Sequence, residues 1–380
     1  LDRTAGMPHV AELDGSFDVT LPRAGAGIGS SVVQADLTAS ASVEGFRRAL
    51  PPALAQLAGR VSVALRVSGT VRRPEVDLQV TAPVVETELA HARTLRLSLL
   101  HRPSGAQPGL RLQLTSQIDT AAAERAGTLD LSVSTPLVLD PLNVGALTPA
   151  ALRREALELS LAAKLDVGLL ARGILGPKAP ITAGLLDASL KASGSAAAPI
   201  LQLSVNARGL ATPTIPSAGL TLNVAYQKEQ ATLGLDVLLR DSTLVRAQGQ
   251  TALALPRLMA GSDWRDLPLQ LALTIPDFDL ARVSSTAGAF AGRLNGKVTL
   301  AGTMGQPQAQ AEVRGDGLRV REWQAGDLRV QASYRGGERV IGQVTLSQPK
   351  GGSLRADVNV PMAAGQPVAA SLDARGLQLG

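Results

Sequence analysis

The chain alternates apolar and polar residues over short stretches along most of its length. Residues 60–68 read Arg-Val-Ser-Val-Ala-Leu-Arg-Val-Ser, which places Val61, Val63, Leu65 and Val67 on one side of an extended chain. Because successive side chains of a strand face opposite sides of a sheet, this pattern predicts strands with one apolar and one polar face. Strands of a parallel sheet are usually apolar on both faces, so we predict a mainly β, antiparallel protein.

An internal repeat organises these strands. Three places carry a glycine, nine residues, a second glycine, four residues and a proline, and each is followed at fixed spacing by a new strand and then by a ring side chain. The glycines and prolines are Gly59–Gly69–Pro74, Gly184–Gly194–Pro199 and Gly292–Gly302–Pro307. The new strands open at Leu95, Leu220 and Leu328, and the rings are His101, Tyr226 and Tyr334. Spacings kept in three copies predict a repeat of five or six strands.

The repeat predicts how the chain is divided. We place three copies at 37–145, 146–265 and 266–361, with 1–36 as the end of a preceding copy and 362–380 as the start of a following one. Apolar spacing near 3.6 predicts short helices between the strands, at 43–57, 148–156, 165–175 and 278–290. The chain begins at Leu1, shows no signal peptide, and starts and ends within a copy. We therefore expect it to belong to a longer protein.

Each glycine–proline element predicts a hairpin connection with a loop of about four residues. The second glycine ends a strand where a positive φ is expected, and the proline begins the next strand without a backbone donor. The structural turn residues are Gly69, Pro74, Gly194, Pro199, Gly302 and Pro307.

Composition argues against several kinds of chemistry. The chain has no cysteine and three histidines, which excludes disulfides and thiol catalysis and leaves little for metal or triad chemistry. No nucleophile elbow or phosphate-binding loop is recognisable, so we predict no enzyme, no cofactor and no metal. We predict no membrane-spanning helix, because no run of about 18 apolar residues is present. The net charge is +5, but the arginines are scattered and 2% of residues are aromatic, which argues against nucleic acid.

The apolar faces need a covering, and alternation alone leaves two solutions. Two sheets can pack into a sandwich, or one sheet can bend into a trough with an apolar wall that meets a ligand. The apolar positions are nearly all Leu, Val and Ala rather than the large aromatics that usually fill a sheet interior. No linker divides the chain into closed sandwiches of about 100 residues. Both observations favour the trough.

Three segments resemble the repeat of a known family. Residues 294–307, Leu-Asn-Gly-Lys-Val-Thr-Leu-Ala-Gly-Thr-Met-Gly-Gln-Pro, and residues 67–74, Val-Ser-Gly-Thr-Val-Arg-Arg-Pro, are similar to the repeat of the TamB proteins. Those proteins belong to the AsmA-like group of Gram-negative envelope proteins. Residues 278–281, Phe-Asp-Leu-Ala, match a type of stretch that precedes the glycine pair in that family. The resemblance covers essentially the whole chain and is one of pattern rather than of a catalytic motif.

The resemblance implies an elongated antiparallel β-groove, of the β-taco or repeating-groove kind, with a few short helices between repeats. Members of the family stand in the periplasm, are anchored to the inner membrane by an N-terminal helix, and carry phospholipids towards the outer membrane. They are also linked to outer-membrane protein assembly through an Omp85-type outer-membrane partner. For this chain the resemblance implies a periplasmic location and support of outer-membrane biogenesis, with the anchor and the partner-binding region outside it.

Elementary energetics supports a groove that binds lipid tails. A strand of six or seven residues spans about 20 Å, close to the length of a lipid tail. Exposing a tail to water costs about 0.8 kcal/mol per methylene, and an apolar wall removes most of that cost while the headgroup stays in water. We therefore expect phospholipid acyl chains to be partners of the apolar positions. These are Val61, Val63, Leu65, Val67, Val76, Leu78, Val80, Leu95, Leu97, Leu99, Leu112, Leu131, Leu186, Leu190, Leu201, Leu203, Val205, Leu220, Leu222, Val224, Leu235, Leu253, Leu294, Val298, Leu300, Val313, Leu328, Val330, Val344, Leu354 and Val358.

Two other classes of function stay open. A structural β-array, such as an adhesin or a stalk, would fill its interior with its own side chains and bind no lipid. A β-augmentation scaffold would use an exposed sheet edge to pair with nascent strands of outer-membrane proteins.

Overall fold

Strands make up most of the described part of the chain. The computed structural model describes residues 11–21, 27–42, 60–86, 91–105, 107–120, 124–138, 140–146, 154–213, 215, 217–254, 263–283, 290–362 and 367–377. Every pairing between named strands in these ranges is antiparallel, which confirms the prediction of a mainly β, antiparallel protein. The chain forms two compact units, an N-terminal unit of Leu1–Ala179 with Leu185–Leu201 and a C-terminal unit of Pro180–Gly184 with Gln202–Gly380.

In the N-terminal unit each strand pairs with the next along the chain, from β1–β2 to β8–β9, so the strands form an open meander. The strands are β1 (Ala11–Thr20), β2 (Val32–Ser42), β3 (Arg60–Thr70), β4 (Arg73–Glu86), β5 (His91–Arg102), β6 (Gly109–Asp119), β7 (Arg125–Thr135), β8 (Glu158–Asp166) and β9 (Ala183–Ser195). The next strand, β10 (Ala198–Ala211), contains the boundary between the two units.

The C-terminal unit repeats this meander, from the pairing of β11 with β12 to that of β19 with β20. Its strands are β11 (Ala218–Gln227), β12 (Gln230–Leu239), β13 (Ser242–Ala252), β14 (Gln270–Asp279), β15 (Phe290–Gly302), β16 (Pro307–Val320), β17 (Trp323–Arg335), β18 (Arg339–Ser347), β19 (Ser353–Pro361) and β20 (Ala369–Arg375). Local pairing of neighbours explains how a chain with strong alternation reaches this topology without long crossovers.

One α-helix, α1 (Val167–Leu175), lies in the described ranges. It confirms the helix predicted at 165–175, and it begins where the Asp166 carboxylate accepts a hydrogen bond of 2.8 Å from the backbone N–H of Leu169. Short 3₁₀ turns cover Ile28–Ser30, Pro141–Ala146, Gly176–Lys178, Trp264–Asp266 and Leu280–Arg282.

The helix predicted at 278–290 is wrong in its described part. Strand β14 continues to Asp279, and a single 3₁₀ turn, Leu280–Arg282, follows it. Phe278 pairs with Leu294 of β15, so its apolar side chain serves a sheet face rather than a helix face. The Asp279 carboxylate caps the short turn by accepting from the backbone N–H of Ala281. The helix predicted at 43–57 and most of the one at 148–156 lie outside the described residues.

The glycine–proline elements lie at three hairpins, β3–β4, β9–β10 and β15–β16. Gly69, Gly194 and Gly302 have φ values of 96°, 90° and 97°. The third connection has four residues, as expected, but the first two have only two, because the strands there continue past the glycine. At β3–β4, for example, Thr70 still pairs with residue 73.

The buried core of the described residues is thin. Leu239 is the only leucine, isoleucine, valine or methionine among the described side chains that is buried. The other buried apolar side chains are alanines and two rings, those of Tyr226 and Phe278. A sheet that packs face to face on a second sheet buries the facing leucines and valines. The described strands therefore lack the tight interior of a sandwich.

Candidate functional site

The strand register of the N-terminal unit brings the alternating apolar residues onto one face. Directly paired residues of an antiparallel sheet share a face, so each row of partners can be followed from strand to strand. The central row consists of Leu37, Leu65, Leu78, Leu99, Leu112, Val133 and Leu159. The neighbouring row consists of Ala39, Val63, Val80, Leu97, Leu114, Leu131, Leu161 and Leu190. We call this surface the N-terminal apolar face.

The C-terminal unit carries a corresponding C-terminal apolar face. One row consists of Leu222, Leu235, Ala247, Leu273, Val298, Ala311, Ala332, Gly342, Val358 and Ala370. A second row consists of Ile275, Gly296, Val313, Val330, Val344, Ala356 and Leu372. Within each unit the apolar surface therefore continues across nearly every strand.

The structure brings most of the sequence-predicted positions onto these two faces and leaves a few aside. Leu253 follows the end of β13 and is not part of a strand. Leu201, Leu203 and Val205 occupy alternate positions of β10, at the boundary between the units. Several face members were missed, although they lie in alternating segments that the sequence already displays. These are Leu37, Leu114, Val133, Leu159 and Leu161.

Exposure differs between the two sides of the same strand. In β6, Leu110, Leu112 and Leu114 are half-buried, whereas the intervening Arg111 and Gln113 are exposed. No member of the central row of the N-terminal apolar face is fully buried. Each of these side chains is therefore partly covered and keeps part of its surface exposed to solvent. Hydrocarbon placed on this face would remove apolar surface from water.

The repeated ring side chains lie near the C-terminal ends of their strands, β5, β11 and β17. His101 pairs with apolar residues of β4 and β6 and is 1% exposed, and its Nδ1 lies 2.8 Å from the carbonyl oxygen of Pro74. Tyr226 is also buried. The Tyr334 hydroxyl accepts a hydrogen bond of 3.0 Å from the backbone N–H of Gly337. These contacts give the rings a packing role at strand ends and turns.

The opposite faces carry ion pairs and amide side chains. Arg314 Nη2 lies 2.6 Å from Glu312 Oε1, and Arg355 Nε lies 2.9 Å from Asp357 Oδ2. The hydrogen bond from Arg314 lowers the pKa of Glu312, and that from Arg355 lowers the pKa of Asp357. Because these carboxylates are exposed, the ion pairs contribute little to stability.

Among the described residues, three of the cavities lie mainly over the polar faces. Their volumes are about 830 Å³ in the C-terminal unit, around Gln331, and about 320 Å³ and 650 Å³ in the N-terminal unit, around Ser62 and Arg111. A twisted sheet is saddle-shaped, so each face is concave along one diagonal. The polar side chains around these hollows come from the polar side of the sheet, a distribution that alternation alone does not predict.

Two further features, a metal-binding cluster and a membrane-spanning helix, are absent from the described ranges. No three His, Asp or Glu side chains in them lie close enough to hold a metal ion. None of the helices in those ranges combines the length and apolar character that crossing a bilayer requires. No family model, curated protein or solved structure matches the chain.

Proposed function

We propose that the N-terminal and C-terminal apolar faces bind the acyl chains of phospholipids. The chain would then be a segment of a hydrophobic β-groove, of the repeating-groove kind found in TamB and other AsmA-like proteins, that carries phospholipids between the inner and outer membranes. The observation that carries this proposal is the run of apolar rows across each unit, together with the lack of any buried leucine, isoleucine, valine or methionine other than Leu239 among the described side chains.

The chemistry of the faces suits a lipid that moves. Each methylene taken out of water contributes about 0.8 kcal/mol, so a tail lying along several rows is held without a specific contact. The lining is mostly Leu, Val and Ala, and adjacent rows resemble each other closely. Neighbouring positions therefore bind with similar free energies, which allows a tail to slide. A charged headgroup would stay at the open side of the face, because burying an unpaired charge is costly.

The cellular setting of the proposal rests on the sequence resemblance. It places the chain in the periplasm, within a longer protein anchored to the inner membrane, and assigns it a part in outer-membrane biogenesis. Contact with an Omp85-type partner would involve regions outside this chain. The proposed activity is binding and transfer, with no bond-making step, no cofactor and no metal.

Native mass spectrometry tests the proposal. The chain would be exported to the periplasm of Gram-negative cells and purified without detergent. We expect masses that correspond to the protein with one or more phospholipids. A protein mass without lipid, from a preparation with the circular dichroism of a folded β protein, would instead favour a structural β-array such as a stalk.

A further inference from the structure

The largest of the three polar-face cavities belongs to the C-terminal unit, and the proposed lipid-binding function makes no use of it. It has a volume of about 830 Å³ and lies across strands β15 to β20. Its lining is rich in side-chain amides, those of Gln310, Gln331, Gln343 and Asn359, with hydroxyl groups between them. An amide has two donor hydrogens and an acceptor oxygen. One donor of Gln343 is used by Asp357 and Asn359 Oδ1 is buried, so a ligand would meet the remaining amide groups, the hydroxyl groups and three charged side chains.

The strand register arranges these groups in two transverse rows. One row runs Glu312, Gln331, Gln343, Asp357, and the other runs Gln310, Ser333, Ile341, Asn359, with one residue from each of four neighbouring strands. Residues within a row are spaced by about 4.8 Å, and the rows are separated by about 6.6 Å along the strands. This spacing is close to the length of one pyranose ring in an extended chain, so a ligand running across the strands would meet a polar group at every sugar.

We propose that this cavity binds a neutral, extended oligosaccharide lying across strands β16 to β19. The amides of Gln331 and Gln343 would exchange hydrogen bonds with its hydroxyl groups. Ile341, which is 48% exposed in the middle of the polar face, would contact the apolar C–H surface of one ring. The hydrogen-bonding side chains of this site lie on the face opposite the acyl-chain rows, although its lining also includes Ala311, Ala332 and other members of the C-terminal apolar face.

The two carboxylates in the lining of this cavity form ion pairs with neighbouring arginines. Arg355 donates to Asp357, which also accepts a hydrogen bond of 2.7 Å from Gln343 Nε2. Arg314 holds Glu312 in the same manner. A carboxylate has more lone pairs than its ion pair uses, so Glu312 and Asp357 can also accept hydrogen bonds from ligand hydroxyl groups.

The charged groups of this cavity are largely paired with each other. The two carboxylates of its lining, those of Glu312 and Asp357, form ion pairs with Arg314 and Arg355, and the lining also contains Lys297. Because both carboxylates already have a cationic partner, the lining favours a neutral sugar chain that exchanges hydrogen bonds with it.

Isothermal titration calorimetry of the full chain with cellohexaose tests the proposal. We expect saturable binding with a dissociation constant in the millimolar range. The variant Gln331→Leu should weaken it about tenfold, because it removes hydrogen bonds and leaves ligand hydroxyls unpaired. The matched control is Gln113→Leu, on the polar face of the N-terminal unit and outside the cavity lining, which should bind as the unchanged chain does.

Two further probes complete the test. Maltohexaose, whose chain curls, should bind more weakly than cellohexaose, and glycerol 3-phosphate should give no saturable heat. The proposal is overturned if cellohexaose shows no saturable binding, if Gln113→Leu weakens binding as much as Gln331→Leu, or if only glycerol 3-phosphate binds. Circular dichroism of each variant distinguishes loss of the site from loss of the fold.

Discussion

The N-terminal and C-terminal apolar faces share a strand pattern but differ in the size of their side chains. The central row of the N-terminal face is leucine at six of its seven positions, for example Leu78, Leu99 and Leu112. The C-terminal face has a strip where Ala311, Ala332 and Gly342 follow one another on three neighbouring strands. The same repeat therefore produces one surface rich in aliphatic side chains and one that is shallower.

This difference distinguishes two possible requirements for binding hydrocarbon, that the face be apolar and that its side chains be large. Alternation between the faces is kept in both units, so an apolar face is the property that the two surfaces have in common. Side-chain volume varies, and with it the apolar area that each row offers to a ligand. If the faces bind hydrocarbon, changes of polarity should have large effects in either unit, and changes of volume should have smaller effects that depend on the unit.

The largest expected effect is that of a charge on the N-terminal apolar face. Leu99→Asp should reduce the amount of phospholipid bound to the chain about tenfold, because covering a carboxylate with hydrocarbon is costly. The measurement is the lipid-to-protein ratio of protein purified without detergent. Ser98→Asp, one residue away on the polar face, is the matched control and should keep its lipid. Equal loss in both variants would contradict a lipid-binding apolar face.

A second prediction concerns the hairpins that set the strand register. Gly302 has a φ of 97°, and a Cβ atom there would lie 2.6 Å from the carbonyl oxygen of Gln306. Gly302→Ala should therefore lower the free energy of unfolding of the C-terminal unit by about 1–3 kcal/mol in urea titrations. Gly234→Ala is the control, since its Cβ would meet only Asn223, at 4.0 Å. A Gly302→Ala variant as stable as this control would rule out strain at the turn.

A third prediction concerns a substitution that makes the C-terminal strip resemble the N-terminal apolar face. Ala332→Leu adds apolar surface in the middle of the strip and should raise affinity for a phospholipid about threefold, equivalent to one buried methylene or slightly less. Competition with a fluorescent phospholipid measures the change. Thr345→Leu, on the polar face, should leave affinity unchanged. A decrease for Ala332→Leu would indicate that the strip needs its small residues to admit the tail.

The smallest expected effect is on the free energy of unfolding at acid pH. Hydrogen bonds from Arg355 and Gln343 lower the pKa of Asp357 below its ordinary value of 3.8. The ionised carboxylate therefore stabilises the folded state above that value, and the contribution is lost as the pH falls through the lowered pKa. In the Asp357→Asn variant, this small decrease in the free energy of unfolding at acid pH should be absent. An NMR titration in which the Asp357 carboxyl has an ordinary pKa would contradict the ion pair.

Alternation predicted the strands and their faces well, because the period of two follows directly from strand geometry. It could not predict every connection. The turns at Lys228–Glu229 and Arg240–Asp241 adopt positive φ at both residues without the Asn or Gly that usually marks such hairpins. The predicted helix at 278–290 failed in its described part because the apolar Phe278 fits strand periodicity as well as helix periodicity.

The polar-face cavity also could not be predicted from the sequence. Gln331 and Gln343 are twelve positions apart, and only the register of β17 with β18 makes them neighbours. Alternation assigns a residue to a face, but it does not reveal which strand positions lie opposite each other. It also does not reveal where a twisted sheet becomes concave. The resemblance to the TamB repeat suggested a hydrophobic groove and gave no indication of a polar hollow.

Site-specific photo-crosslinking in living cells tests the central claim most directly. A benzoyl-phenylalanine side chain would be placed at Leu99 and Val298 on the apolar faces, and at Ser98 and Thr299 on the polar faces. The account predicts phospholipid adducts from Leu99 and Val298 and none from the two polar-face positions. Equal labelling of both faces, or labelling from the polar-face positions alone, would contradict it.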